Sequence, residues 1–338
     1  MNKGIFANII NKAMAVLAIG AAASVMSSCE SIYDDLDPCP QGVKLRFIYD
    51  YNMEFANAFP SQVDCLTVLF YDEAGRYVTT RTNTSAELHD ENYRMTVDLD
   101  PGTYTILAYG GMACGESSFH YVTEPASTSL RDIRVALDDD CLTSPVGTDL
   151  HPLFYGKIDV AVETTDMTYR EYTVPMMKDT NNLRVVLQQI DGDPLDEADF
   201  DWKIIDNNTL FAWNNDIIPQ EPVDYLPWVR GNASPGELPD GTPSQVCWAE
   251  MSFSRLVTGN SPRLQITRRS DGYMVVDIPL INYLILMRSE AYKNMGNQEF
   301  LDRESRWNMT FFLDRNHAWI KTHIIVNDWV VRLNDVEV

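Results

Sequence analysis

Six cysteines, five histidines and 49 acidic side chains are the groups that could carry chemistry in this chain of 338 residues. Cys29 has the most telling surroundings. It follows the small residues Ser27 and Ser28 at the end of an apolar run, with Lys3 and Lys12 ahead of an uncharged core from Ala13 to Ala23. That order of a positive region, a short apolar core and small residues is an export signal. The core is shorter than the roughly 20 apolar residues a bilayer span needs. A lone thiol at that point is suited to lipidation: diacylglycerol on the Cys29 sulfur and palmitate or another acyl chain on its freed amine. Each buried methylene contributes about 0.8 kcal/mol, so such chains anchor a protein without a transmembrane helix. Residues 1–28 are then a lipoprotein signal peptide and the mature chain starts at Cys29. An ordinary secretory signal with a cysteine nearby is the alternative.

Cys39, Cys65, Cys114, Cys141 and Cys247 remain. None stands in a Cys-x-x-Cys spacing, which gives no support for a zinc site or a thioredoxin-like motif. Export to an oxidising compartment permits disulfides. If neighbouring strands run antiparallel, Cys65 and Cys114 lie at the same end of a sheet. Cys65 with Cys114, and Cys39 with Cys141, are the candidate pairs, against the alternative of buried free thiols.

Histidines 89, 120, 151, 317 and 323 are scattered and form no metal-binding spacing. Nucleophile elbow, phosphate loop and dinucleotide fingerprint are all missing. The acidic stretch Asp191 to Asp201 offers oxygens for calcium but departs from the EF-hand pattern, and a solvated loop is the better account of it, because exposed acids are common. Trp202, Trp213, Trp228 and Trp248 could line a sugar platform, yet tryptophans at strand spacing are more often core. No catalytic residue, cofactor or metal ligand set is assigned, and the expectation is a non-enzymatic protein.

The formal net charge is −23. Residues 1–28 hold two lysines and no acids, so the mature chain is more acidic still. Such a surface repels polyanions, and no nucleic-acid partner is expected.

The elements that must position these groups are strands. Val43 to Tyr51 starts with Val43, Leu45 and Phe47 on one face and Lys44 and Arg46 on the other, the period of a half-buried strand. Met53 to Phe59 reads as a helical turn stopped by Pro60. Val63 to Phe70 is apolar on both faces and therefore central in its sheet. Met95 to Leu99, Thr103 to Gly110 and Ile133 to Leu137 follow. A Pro/Gly-rich interval around Pro145, Gly147 and Pro152 suggests a boundary. Beyond it come Tyr172 to Met177 and Leu183 to Ile190. Hairpins are expected around Asp206-Asn207-Asn208 and Ser270-Asp271-Gly272, with a long surface loop from Ile217 to Pro243 between them. Asp277 caps an expected helix that runs to about Glu290. Three strands close the chain: Trp307 to Leu313, Ala318 to Val326 and Trp329 to Leu333. The fold class is all-β, two antiparallel β-sandwich domains in tandem with few short helices. The expected divisions are a tether at 29–42, a first sandwich at 43–160 and a second at 161–338.

Several blocks, together with Cys29, resemble the FimB-type fimbrial anchor and minor-subunit lipoproteins of the Bacteroidetes. They include Asp37-Pro38-Cys39-Pro40-Gln41-Gly42-Val43, Phe47 to Met53, and Val63-Asp64-Cys65-Leu66-Thr67 with Tyr71-Asp72. Pro101 to Tyr104, Ala108-Tyr109-Gly110-Gly111, Leu153-Phe154-Tyr155-Gly156 and Met177 to Asn182 follow, then Ile278 to Ile281, Phe300 to Glu304 and Val326-Asn327-Asp328-Trp329. Acidic Glu30, Asp34, Asp35 and Asp37 behind the cysteine resemble the export tether of surface-exposed lipoproteins in that phylum. The resemblance implies transthyretin-like domains, an outer-membrane lipid anchor exposed at the cell surface, and pilin subunits of a fimbrium as partners.

In such fimbriae subunits are joined by strand exchange, which is backbone pairing at an open sheet edge. A chain that keeps its own strand at Val43 to Tyr51 has no vacant groove, but it can still donate. The candidate donor is the tail from Trp329, with Trp329, Val331 and Leu333 on one face; a plain edge strand is the alternative. A surface glycan-binding lipoprotein is the rival function. It predicts solvent-facing tryptophans, whereas an anchor predicts a reachable strand edge.

Overall fold

A computed structural model describes residues 41–143, 148–165, 168–190, 194–237, 243–326 and 329–331. Four sheets account for its strands. The first is seven-stranded, in the order β3 (Tyr77–Asn83), β2 (Leu66–Asp72), β5 (Gly102–Gly110), β8 (Phe154–Val162), β9 (Tyr169–Lys178), β1 (Gly42–Ile48) and β4 (Met95–Asp98). Its neighbours are antiparallel except β1 and β9, which run parallel. β8 and β9 pair only from Phe154 to Gly156. Gly156 belongs there because a Cβ would lie 2.8 Å from the Pro175 carbonyl oxygen. Val43, Leu45 and Phe47 of β1, with Val97 and Val174, share one core with Leu66, Val68 and Phe70 of β2, Ile106 of β5 and Phe154 of β8. The sheet thus closes on itself as a sandwich.

The second half pairs a six-stranded sheet with a four-stranded one. The larger runs β14 (Val229–Glu237), β15 (Pro243–Ser254), β10 (Thr180–Gln189), β18 (Arg306–Leu313), β19 (Trp319–Val326) and β20 (Trp329–Val331). The smaller runs β13 (Val223–Tyr225), β11 (Phe200–Asp206), β16 (Arg263–Arg268) and β17 (Met274–Pro279). Leu183, Val185 and Leu187 of β10 face a core with Trp202 and Ile204, Leu264 and Ile266, and Met309 and Phe311. Period-2 alternation along each strand creates these inward faces.

A three-stranded sheet joins the halves: β12 (Leu210–Ala212), β7 (Arg134–Leu137) and β6 (Phe119–Tyr121). It packs on Leu69, Tyr71, Leu107 and Tyr109, the outer faces of β2 and β5, within the same core as the second sandwich. This explains why Val63 to Phe70 is apolar on both sides: β2 separates two cores.

Several expectations are corrected. A division at 160 cuts through β8, and β9, placed in the second half from sequence, pairs with β1 and β8. The first sheet therefore ends at Lys178, where the apolar alternation gives no mark because both domains consist of the same kind of strand. β12 does not turn back on β11; it pairs with β7 across the chain, Phe211 opposite Val135. The expected loop from Ile217 to Pro243 contains β13 and β14, polar edge strands. β14 lies close under β15, and Gly231 admits the Trp248 ring, 3.2 Å from where a Cβ would stand. The turn near Phe59 begins there, Phe59–Gln62, with Pro60 in its first turn, where a missing N–H costs nothing. The helix expected from Asp277 is Leu280–Ile285, because Met274 to Pro279 is taken into β17. No described helix is long and apolar enough to cross a membrane.

Candidate functional site

Asp179 is the single residue between β9 and β10, so it carries the chain from one sandwich into the other. Its side chain is fully buried. Its N–H donates to the Leu153 carbonyl at 2.8 Å, and Asn215 Nδ2 donates to Oδ1 at 2.9 Å. Arg255 Nε lies 3.9 Å from the same oxygen. Burial pushes the Asp179 carboxyl up to about 7, opposed by the Arg255 charge and the Asn215 hydrogen bond. Arg255 is committed to Asp302, with Nε at 2.8 Å and Nη2 at 3.1 Å from its two oxygens, and its Nη1 donates to the Asn215 carbonyl at 2.9 Å. Asn215 adopts a left-handed φ of 67°, a conformation asparagine tolerates, and this turns its amide toward Asp179. Lys178, next in line, is also buried, and desolvation pulls its ammonium down to about 8.

Around this centre some buried polar groups are paired across the fold, while Asp179 Oδ2 and Thr180 Oγ1 have no hydrogen-bond partner among the described residues. Trp307 Nε1 donates to Asn181 Oδ1 at 3.0 Å, and Tyr225 Oη donates to Asn208 Oδ1 at 2.7 Å. Arg303, beside Asp302 on the helix Asn297–Arg303, places its guanidinium 4.1 Å from the Tyr51 ring centre and 4.7 Å from that of Phe55. Its Nη1 reaches the carbonyls of Asp50 and Asn52, each at 3.4 Å. Four of the blocks that carried the family resemblance, Phe47 to Met53, Leu153 to Gly156, Met177 to Asn182 and Phe300 to Glu304, therefore meet at one junction. Sequence reasoning assigned no role to Asp179, Arg255 or Asp302. The signal the sequence carries there is the charged pair Lys178-Asp179 between two apolar strand runs. This cluster has no nucleophile beside a base, and it acts as a buried tie between the domains.

A second focus lies at the same end of the first sheet, beside the start of β2, since Leu66 pairs with Gly110, Gly110 with Phe154 and Phe154 with Lys178. Leu66 of β2 stands opposite Gly110 of β5; Cys65, next to Leu66, and Cys114, four residues past Gly110, form a disulfide with Cα atoms 5.5 Å apart. Gly111, at φ 91°, donates its N–H to the Cys65 carbonyl, and a Cβ there would be 1.9 Å from the Pro152 carbonyl oxygen. Cys141 is a free thiol among the described residues, and Cys39, its candidate partner, lies outside them. Burial raises the Cys141 thiol despite a hydrogen bond with Ser118. Cys247 is free and buried inside β15.

Cys29 and Leu333 lie outside the described residues. Trp329 and Val331 belong to β20, which forms the edge of the six-stranded sheet and pairs with β19 through Trp329–Val326, Val330–Ile325 and Val331–Ile324. β1 is an interior strand between β9 and β4. Of the platform tryptophans, Trp202 is buried and Trp213, Trp228 and Trp248 are half-buried. Lys157 covers the Trp213 ring at 5.1 Å and Arg184 covers Trp248 at 4.7 Å. Trp228 faces a cavity of about 460 Å³, shared with Tyr225, Asp149 and His151. Two of the acids considered for calcium serve the chain itself: Asp196 Oδ1 accepts from the Ala198 N–H, and Asp201 pairs with Arg269 at 2.7 Å.

The sequence profile of the fimbrillin-A associated anchor proteins Mfa1 and Mfa2 matches residues 36–335. The chain belongs to this family. It is a family of structural fimbrial anchor proteins rather than of enzymes. The minor fimbrium anchoring subunit Mfa2 of Porphyromonas gingivalis is 22% identical over 351 aligned positions, covering the whole of both chains. The solved structure of the fimbrial anchor protein Mfa2 from that organism superposes with a TM-score of 0.65 at 16% identity, covering 87% of this chain and 99% of its own, and so shares the fold. A candidate adhesin from Bacteroides thetaiotaomicron is 51% identical with a TM-score of 0.84, covering 89% of this chain and all of the other. A candidate polysaccharide-binding protein from the same species is 30% identical with a TM-score of 0.73, covering 87% and 98%. The fold shared with Mfa2 accounts for the two sandwiches, and the family match places this chain among the anchor or accessory subunits of fimbriae.

Proposed function

We propose that the chain is a surface-exposed lipoprotein, attached to the outer membrane through Cys29, that anchors or limits a fimbrium by pairing a sheet edge with a pilin subunit. The observation that carries this reading is the position of β20. Among the described residues it is an edge strand, paired with β19 through Trp329, Val330 and Val331. An edge strand has one ladder to leave, and the β19 backbone beneath it can be paired again. β1 already occupies the interior of the first sheet, with Val43, Leu45 and Phe47 buried, which favours donation by this chain over acceptance.

Deletion of Arg332 to Val338 tests the reading. Truncated protein that folds but no longer co-purifies with pilin subunits is the expected result. Undiminished co-purification contradicts donation from this tail. The glycan-binding alternative rests on Trp228 and its cavity. Retention of the protein on a glycan matrix, lost on Trp228→Ala, would favour it.

A further inference from the structure

The Cys65–Cys114 pair has a third possible metal ligand beside it. One ligand atom from each of Cys65, Cys114 and His151 lies within 4.8 Å of the other two. Tetrahedral zinc holds sulfur at about 2.3 Å and nitrogen at about 2.0 Å, so its ligand atoms stand about 3.5 Å apart. With the S–S bond broken, each sulfur has to move by little more than an ångström to reach such positions. The surroundings permit that shift on one side and resist it on the other. Cys65 is pinned, buried at the start of β2, with its carbonyl accepting from Gly111. Cys114 is half-buried in the turn after β5, followed by the exposed Gly115, which has no heavy atom near its Cβ position. His151 is held by its backbone N–H, which donates to Ser118 Oγ at 2.9 Å. It also lines the cavity of about 460 Å³ with Glu116, Ser117 and Ser118, so the site is open from the His151 side, while neither Cys65 nor Cys114 lines that cavity.

We propose that Cys65, Cys114 and His151 form a zinc site in the dithiol state of the protein. The ends of β2 and β5 are then clamped by a disulfide when oxidised and by Zn²⁺ when reduced. The chemistry balances with a dithiol reductant. It supplies two electrons to the S–S bond and closes to its own cyclic disulfide, while its two thiol protons pass to the protein sulfurs. Zinc binding releases those two protons to solvent, and His151 binds through an unprotonated ring nitrogen. Cysteine spacing in the sequence gives no hint of this, because the ligands come from three separate loops.

The test uses the full chain extracted in detergent, as oxidised protein and after anaerobic treatment with dithiothreitol followed by its removal. Bound zinc is measured by elemental analysis and thermal unfolding by circular dichroism. Reduced protein should bind one zinc and regain the thermal stability lost on reduction; oxidised protein should bind none. His151→Ala should unfold normally when oxidised but bind zinc about tenfold or more weakly when reduced. Cys141→Ser should bind as the unaltered protein does. The proposal is overturned if reduced protein takes up no stoichiometric zinc, if zinc fails to restore its stability, if His151→Ala binds equally well, or if uptake depends on Cys141.

Discussion

Arg255 grips Asp302 with two nitrogens while standing 3.9 Å from the carboxylate of Asp179, so one cation serves acids from two distant parts of the chain. Arg255 and Asp302 are both largely buried. Removing one partner leaves the other charged and desolvated. Asp302→Ala should therefore destabilise the protein by about 3–5 kcal/mol. Urea unfolding followed by tryptophan fluorescence would measure it, and Arg255→Met with Asp302→Leu together should cost less than either single change.

Asp179 makes the junction pH-dependent. Its carboxyl is raised from 3.8 to about 7, so the folded state keeps a proton that the unfolded chain releases. Stability from this group is complete below the unfolded value and is lost as pH rises through the folded one. Asp179→Asn should flatten the decline in stability between pH 5 and pH 8, read as the difference between the two proteins' unfolding midpoints. Asp206 has to be considered beside it, because burial raises its carboxyl to about 6 and it contributes in the same direction.

The disulfide closes a loop over a sequence separation of 49 residues. Cys65→Ser with Cys114→Ser should cost about 2–5 kcal/mol, chiefly through the entropy of the unfolded chain. Calorimetry without added metal would show the loss as a lower melting temperature.

Gly111 tests the packing beside that bond. A Cβ at this position would overlap the Pro152 carbonyl, and φ of 91° strains any L-residue. Gly111→Ala should destabilise by at least about 2 kcal/mol, whereas Gly115→Ala, four residues on, should lie within about 0.5 kcal/mol of the unaltered protein.

The sequence made individual strands legible where one face is polar. Val43, Leu45 and Phe47 against Lys44 and Arg46 marked β1, and Leu264 to Thr267 against Tyr273 to Val276 marked the β16–β17 hairpin. Pairing between distant strands was not legible. Nothing in Leu210 to Ala212 points to β7, and nothing in Tyr169 to Lys178 points to a parallel partner more than a hundred residues earlier, because backbone hydrogen bonds carry no residue code. The junction was half visible. Its blocks stood out as family-like, but a buried carboxylate such as Asp179 looks the same in sequence as an exposed one. Only the fold brings Arg255 and Asn215 to it.

The most direct test of the anchor account is recovery of pilin subunits with the membrane-extracted protein from native cells, beside a Cys29→Ala control, with bound proteins identified by mass spectrometry. The account predicts pilin subunits with the lipid-bearing protein and their loss from the control. Equal recovery with both proteins, or no pilin subunit with either, would contradict it.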